Sequence, residues 1–129
     1  MTAGPRLFSI LRQGAYLIAS IHTALDDSQL VRFQEDLVER IGRDRARGVV
    51  IDVAALDVLD SFASRTLRDI AEMARLRGAV LVVVGIQPDV AFAMVQLGMD
   101  TGPVSTALDL EEGVAFLDRR LGVPAVRRR

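Results

Sequence analysis

Two β-branched runs constrain this chain more than any other feature. They are Val49-Val50-Ile51-Asp52-Val53 and Ala79-Val80-Leu81-Val82-Val83-Val84. Branching at Cβ stiffens χ1 and favours an extended backbone. The runs are apolar at nearly every position, so neither face of such a strand can stay in water. Strands of this kind belong inside a sheet that is covered on both sides.

The segments around them supply the covers. Leu30, Phe33, Leu37 and Ile41 recur at helical spacing, with Val38 beside them. Asp26 reads as the cap of that helix and Gln29, three residues on, as its capping-box partner. Gly48 is expected to end it. A second helix is expected to begin near Ser61, with Leu67, Ile70, Ala71 and Ala74 inward and Gly78 as its stop. Pro88 suits the first turn of a third, carrying Val90, Met94 and Leu97 to Gly98. Met94 and Met99 read as packing residues. Asp109 and Glu112 form a second capping pair, before a last helix with Leu110, Val114, Leu117 and Leu121 inward and Gly122 beyond it. Ahead of all this, Leu7-Phe8-Ser9-Ile10-Leu11 and Ala15-Tyr16-Leu17-Ile18-Ala19-Ser20-Ile21 read as two strands joined across Gly14. A short extended piece is expected near Val104. The order is β-β-α-β-α-β-α-(β)-α, an α/β fold with a mixed β-sheet and four helices. One domain over residues 5–121 is expected, with a flexible tail at 122–129.

Composition removes whole classes of function. The 129 residues contain no Cys, and every one of the 16 basic residues is Arg. Thiolate nucleophiles and thiolate metal sites are therefore excluded, as are the phosphate-loop lysine, a pyridoxal Schiff base and the ATP-pairing lysine of a protein kinase. A single His, His22, excludes multi-His zinc sites. The net charge of −1 argues against a dedicated nucleic-acid binder. The longest uncharged run, residues 13–25, is short of the roughly 20 apolar residues a membrane span needs. No signal peptide is legible, and the expected location is the cytoplasm. No cofactor and no metal are expected.

Sites in such sheets gather where strands end and helices begin. Three junctions stand out. Asp57-Val58-Leu59-Asp60-Ser61-Phe62 offers a hydroxyl at a helix start beside two carboxylates, and three readings stand side by side. Ser61 or Asp60 caps the helix. Alternatively Ser61 is phosphorylated. A phosphate of about −1.5 to −2 charge gains roughly 0.3–2 kcal/mol from the helix end. Against that, each neighbouring carboxylate at ~6 Å repels it by about 3 kcal/mol at an effective dielectric of ~20, and by less than ~1 in bulk water. Such a phosphate acts by changing the surface a partner meets rather than by tightening the fold. Or Ser61 is a nucleophile, which lacks both a nucleophile elbow and a convincing base. The second junction, Gly85-Ile86-Gln87-Pro88, is a strand exit that could shape a contact surface, and it carries no dinucleotide fingerprint. The third holds His22, Asp26 and Asp27. There a lone His reads as partly exposed, and the carboxylates read as caps and dipole partners rather than metal ligands.

Five segments in order resemble a known family: Phe33-Gln34-Glu35-Asp36-Leu37, Gly48-Val49-Val50-Ile51-Asp52, Asp60-Ser61-Phe62, Gly85-Ile86-Gln87-Pro88 and Thr106-Ala107-Leu108-Asp109-Leu110-Glu111. The chain resembles the STAS domain of anti-sigma-factor antagonists, and within it the single-domain RsbS type of stressosome subunit. The resemblance covers residues 5–121. It implies a non-enzymatic scaffold that co-assembles with RsbR-type STAS proteins, self-associates, and holds an RsbT-type serine/threonine kinase. It implies that this kinase phosphorylates Ser61, which matches the family's serine, and then leaves. Asp60 matches the acidic residue before it. Asp57, Asp60, Phe62 and Gln87 are the expected partner-binding residues around the phosphosite. The resemblance assigns no role to Ser64 or Thr66, one turn further on. Two other readings stand: a free-standing antagonist of the RsbV type that binds an anti-sigma-factor kinase, and a small enzyme or nucleotide-binding domain. The missing Lys, Cys and glycine-rich loops speak against the last.

Overall fold

Residues 6–98 and 104–124 of a computed structural model are described here. The elements are β1 (Phe8–Gln13), β2 (Tyr16–Ile21), α1 (Asp27–Asp44), β3 (Gly48–Asp52), α2 (Ser61–Leu76), β4 (Val80–Val84), α3 (Pro88–Gln96), β5 (Ser105–Ala107) and α4 (Leu110–Leu121). The sheet runs β1-β2-β3-β4-β5. β1 and β2 form the antiparallel hairpin expected across Gly14, and the remaining pairs are parallel.

Strand order equal to chain order decides where the helices go. Parallel crossovers are right-handed, so consecutive crossovers in one direction put their helices on one face. α1, α2 and α3 accordingly share a core with Leu17, Ala19 and Ile21 of β2, Val49 and Ile51 of β3, and Leu81 and Val83 of β4. α4 follows the last strand and is free to return along the other face. There Val114 and Leu117 meet Tyr16, Ile18, Val50, Val82 and Val84. The period-2 alternation of the strands thus divides between two cores, and the continuous apolar runs are satisfied on both sides. α4 rides close to the sheet because position 113 is glycine: a Cβ there would lie 2.6 Å from Val84 Cγ1.

The inner face of α1 is Leu30, Phe33, Leu37 and Ile41, as its spacing predicts, and its capping box on Asp26 and Gln29 is complete. Its end differs from expectation. The helix stops at Asp44, where Arg45 takes a left-handed conformation (φ 52°, ψ 45°), and Gly48 opens β3 instead of closing α1. The chain reverses through Arg45 and Ala46, whose N–H groups return to carbonyls of the last turn. α3 also differs. Val90 and Met94 are its buried residues, while Leu97 lies beyond the last helical residue and is 70% exposed. On α4 the ends are looser than expected: Leu110 is exposed and Leu121 half-buried. Met99, residue 5 and residues 125–129 of the expected tail lie outside the described residues.

One feature of α4 is invisible to periodicity. Asp118 is 2% exposed, and Tyr16 Oη donates to its Oδ1 at 2.7 Å across 102 residues of chain. This bond pins the last helix to the first central strand.

Candidate functional site

The carboxyl ends of β2, β3, β4 and β5 lie on one edge of the sheet, because these strands are parallel. All four helices therefore start at that edge, and the three junctions singled out by sequence come together there.

The β3–α2 loop is held at several points. Val53 N–H donates to Val84 O at 3.0 Å, and Leu56 N–H to Val53 O at 3.0 Å. Leu56 and Leu59 are buried and anchor the loop from below, while Asp57 and Val58 stand in solvent. Asp60 is the N-cap of α2 in an extended conformation, and its Oδ1 accepts from Ala63 N–H at 2.8 Å. The capping reading of Asp60 is thus correct, and that carboxylate oxygen is engaged by the helix. Ser61 is the first helical residue and is exposed. Its hydroxyl therefore stands at the positive end of a 16-residue helix. Phe62 is half-buried against the main core. The next two hydroxyls are differently placed: Ser64 and Thr66 are buried, and Thr66 Oγ1 donates to Phe62 O at 2.8 Å.

The β4–α3 loop stands beside this one. Gln87 Nε2 donates to Ala54 O at 2.7 Å, and Asp52 Oδ1 accepts from Ala54 N–H at 2.9 Å. Gly85 has φ +83°, and a Cβ there would lie 2.9 Å from Ala54 Cβ. Its N–H donates to Leu108 O at 3.1 Å, so β5's exit is tied to the same edge. The sequence pointed to Gln87 and Gly85 but not to their joint grip on Ala54, which requires a contact across 33 residues.

On the other flank is the β2–α1 loop. His22 is exposed, with Nε2 3.1 Å from Ser9 Oγ. Asp26 accepts from Gln29 N–H and from the Ser28 hydroxyl, each at 2.8 Å. These bonds, the backbone one first, hold its carboxyl below the usual carboxylate range. Asp26 is therefore a cap, and among the described residues no group of three or more His, Asp or Glu side chains could hold a metal. Between this loop and the β3–α2 loop lies a cleft of ≈ 80 Å³ floored by Leu25, Leu30, Leu56, Leu59 and Leu67, with Asp60 on its rim. Periodicity assigned Leu30 and Leu67 to the core, and only the docking of the two loops opens a cleft above them.

The arrangement offers an accessible hydroxyl at a helix N-terminus, next to an apolar cleft and an exposed carboxylate, Asp57. Such a surface can be bound and modified by another protein. No described helix is long and apolar enough to cross a membrane.

The fold and this edge define a class of protein. Residues 9–113 match the STAS domain family, and the chain belongs to it. Within that family it is similar to RsbS of Moorella thermoacetica. A Ser-to-Glu variant of that protein superposes with a TM-score of 0.77 at 33% identity, over 89% of this chain and 97% of that one. A chain from a structure described as the molecular architecture of the stressosome, a signal integration and transduction hub, matches with a TM-score of 0.69 at 32% identity, covering 88% of this chain and 98% of that one. The RsbT co-antagonist protein RsbRA of Bacillus subtilis (strain 168) is 30% identical over 90 residues, 70% of this chain. The chain spans about a third of that curated relative, 33% of its length. The RsbS-type resemblance and the mixed-sheet fold with four helices read from the sequence are both borne out.

Proposed function

We propose that the chain is a non-enzymatic phosphorylation-switch scaffold of a stress-signalling complex in the cytoplasm. It co-assembles with RsbR-type STAS proteins and with further copies of itself, and it holds a serine/threonine switch kinase of the RsbT type. The kinase transfers the γ-phosphoryl group of ATP to Ser61 Oγ. ADP leaves, and the hydroxyl proton passes to a base on the kinase. The modified surface then releases the kinase.

The observation that carries this reading is the contrast among hydroxyls on α2: Ser61 is exposed at the first helical position, whereas Ser64 and Thr66 are buried. Asp57, Asp60 and Phe62 flank Ser61 and form the contact surface with the cleft behind it. A phosphate on Ser61 adds about −1.5 to −2 charge beside Asp60. It deepens the negative charge of a surface that already carries Asp57 and Asp60, and it changes the hydration of that surface. Matches at 30–33% identity to an RsbT co-antagonist protein and to RsbS favour this reading over a free-standing antagonist.

The test is intact mass and peptide mapping after incubation with an RsbT-type kinase and Mg-ATP. One phosphoryl group on Ser61 is expected. Ser61→Ala should accept none and keep the kinase bound, and Ser61→Asp should weaken its capture. Modification elsewhere, or equal kinase binding by both variants and the wild type, would sink the switch. A complex that stays small with an RsbR-type partner would instead favour the RsbV-type antagonist.

A further inference from the structure

Gln87 occupies the N-cap position of α3, and its side chain makes no capping bond to its own helix. Its carboxamide reaches away from α3 and donates to Ala54 O at 2.7 Å. Ala54 is also held at its N–H by Asp52 Oδ1, at 2.9 Å, and abutted at its Cβ by Gly85, where only a glycine leaves room. Ala54 is the root of the loop that ends in Asp57, Asp60 and Ser61. Beyond that root the loop is held by the Leu56 N–H bond back to Val53 O, by the buried Leu56 and Leu59 and by the Asp60 cap.

We infer that Gln87 is a positioning residue for the phosphosite: it acts through Ala54, as a strut that fixes the loop's take-off, and not as a contact for the partner. Three features support this. The donor and acceptor lie on separate loops, so the bond carries positional information that neither loop holds alone. The side chain makes no bond to its own helix, and its partner is on the other loop. And the acceptor is a backbone carbonyl at an exposed turn, which without Gln87 would bond to water and leave the loop freer. A loop that spends less time in its binding-competent form binds more weakly in proportion.

The inference rests on the reading of Ser61 as the phosphosite for its consequence, but the strut itself can be tested separately. Amide exchange is measured on the whole chain as wild type, Gln87→Ala, Gln87→Glu and Gln87→Lys. Loss of one net hydrogen bond corresponds to about fivefold faster opening. Exchange across residues 54–60 should rise by about that factor in Gln87→Ala and Gln87→Glu, the latter keeping the shape but not the donor. Gln87→Lys, which keeps a donor, should restore protection, and α1 should be unchanged in all three. The dissociation constant for the RsbT-type kinase should follow the same pattern, rising up to about fivefold in the first two variants and recovering in the third. Gly85→Ala crowds Ala54 from the other side and strains a backbone at φ +83°, so it should raise loop exchange at least as much as Gln87→Ala. Unchanged loop exchange in Gln87→Ala overturns the strut, whatever the kinase does. Weaker kinase binding with unchanged exchange makes Gln87 a partner contact and also overturns it. If wild-type chain neither binds nor is phosphorylated by the kinase, the switch reading fails by itself, and loop exchange still decides the strut.

Discussion

Tyr16→Phe removes a single oxygen from the core on the α4 side. The lost hydroxyl donates to Asp118 Oδ1 at 2.7 Å, and both residues are 2% exposed. The phenyl ring keeps its place among Ile18, Val114 and Leu117, so no cavity opens. What disappears is one buried hydrogen bond, and the carboxyl oxygen that accepted it lies where bulk water does not reach. Such bonds are worth about 0.5–1.5 kcal/mol net between neutral groups and about 1.5–3 kcal/mol when one partner is charged. We expect a loss of about 2 kcal/mol from that range. An unfolding entropy of about 2.1 cal/mol/K per residue makes 1 kcal/mol worth roughly 4 °C at this chain length, so the thermal midpoint should fall by about 8 °C. Urea unfolding followed by circular dichroism should show a lower midpoint with an unchanged m-value, because the surface exposed on unfolding is the same. Asp118→Asn keeps an acceptor and should cost less. Tyr16→Phe combined with Asp118→Leu should cost less than the sum of the two single changes, since the buried polar group is then gone as well. A Tyr16→Phe protein within about 0.5 kcal/mol of wild type, the ordinary range for a neutral surface change, would refute the claim that this bond holds α4 to the sheet.

Two other outcomes follow from the packing and the charges. Gly113→Ala would stabilise an isolated helix by about 1 kcal/mol, yet here the new Cβ would lie 2.6 Å from Val84 Cγ1. The overpacking cost of about 1–3 kcal/mol should outweigh the propensity gain, so the variant should melt below wild type. The second concerns acid. Asp26 is held below the ordinary carboxylate value of 3.8 chiefly by the Gln29 N–H, and Asp44 chiefly by the Arg40 guanidinium at 3.1 Å. In both cases the unfolded chain binds the proton more tightly, so their stabilisation is complete above pH 3.8 and is lost as the pH falls through and below it. Urea midpoints measured from pH 7 down to the acid limit should drop in that window, and Asp26→Asn with Asp44→Asn should flatten the drop. An equal drop in the double variant would assign the acid sensitivity to other groups.

Most of the candidate site's local geometry was legible before the fold was known, for reasons that are short-range. Asp60 and Ser61 form a cap and a first helical residue by short-range hydrogen bonding, and Asp26 with Gln29 forms a capping box the same way. The runs at residues 49–53 and 79–84 had to be buried on both faces because every position but Asp52 is apolar, whatever covers them. The inward residues of α1 followed from a 3.6-residue period alone. The helix ends were harder to read. Gly48 looked like a stop for α1, but Arg45 takes the left-handed turn, since the tertiary need to start β3 beside β2 outweighs the steric cost at a non-glycine residue.

Tertiary structure decided the rest, through contacts that join residues far apart in the chain. Which hydroxyl on α2 stays in water depends on how the helix docks, and docking leaves Ser61 outside and Ser64 and Thr66 inside. The grip of Gln87 on Ala54 exists only because parallel strands bring two loops to one edge. Asp118 sits in a helix whose flanking Arg119 and Arg120 suggest a solvated turn, yet it is buried because Tyr16 meets it from the far end of the sequence. A sequence states what each residue can bond to within a turn or two. Which distant group it finds is settled only when strand order and crossover handedness have placed every helix on its face.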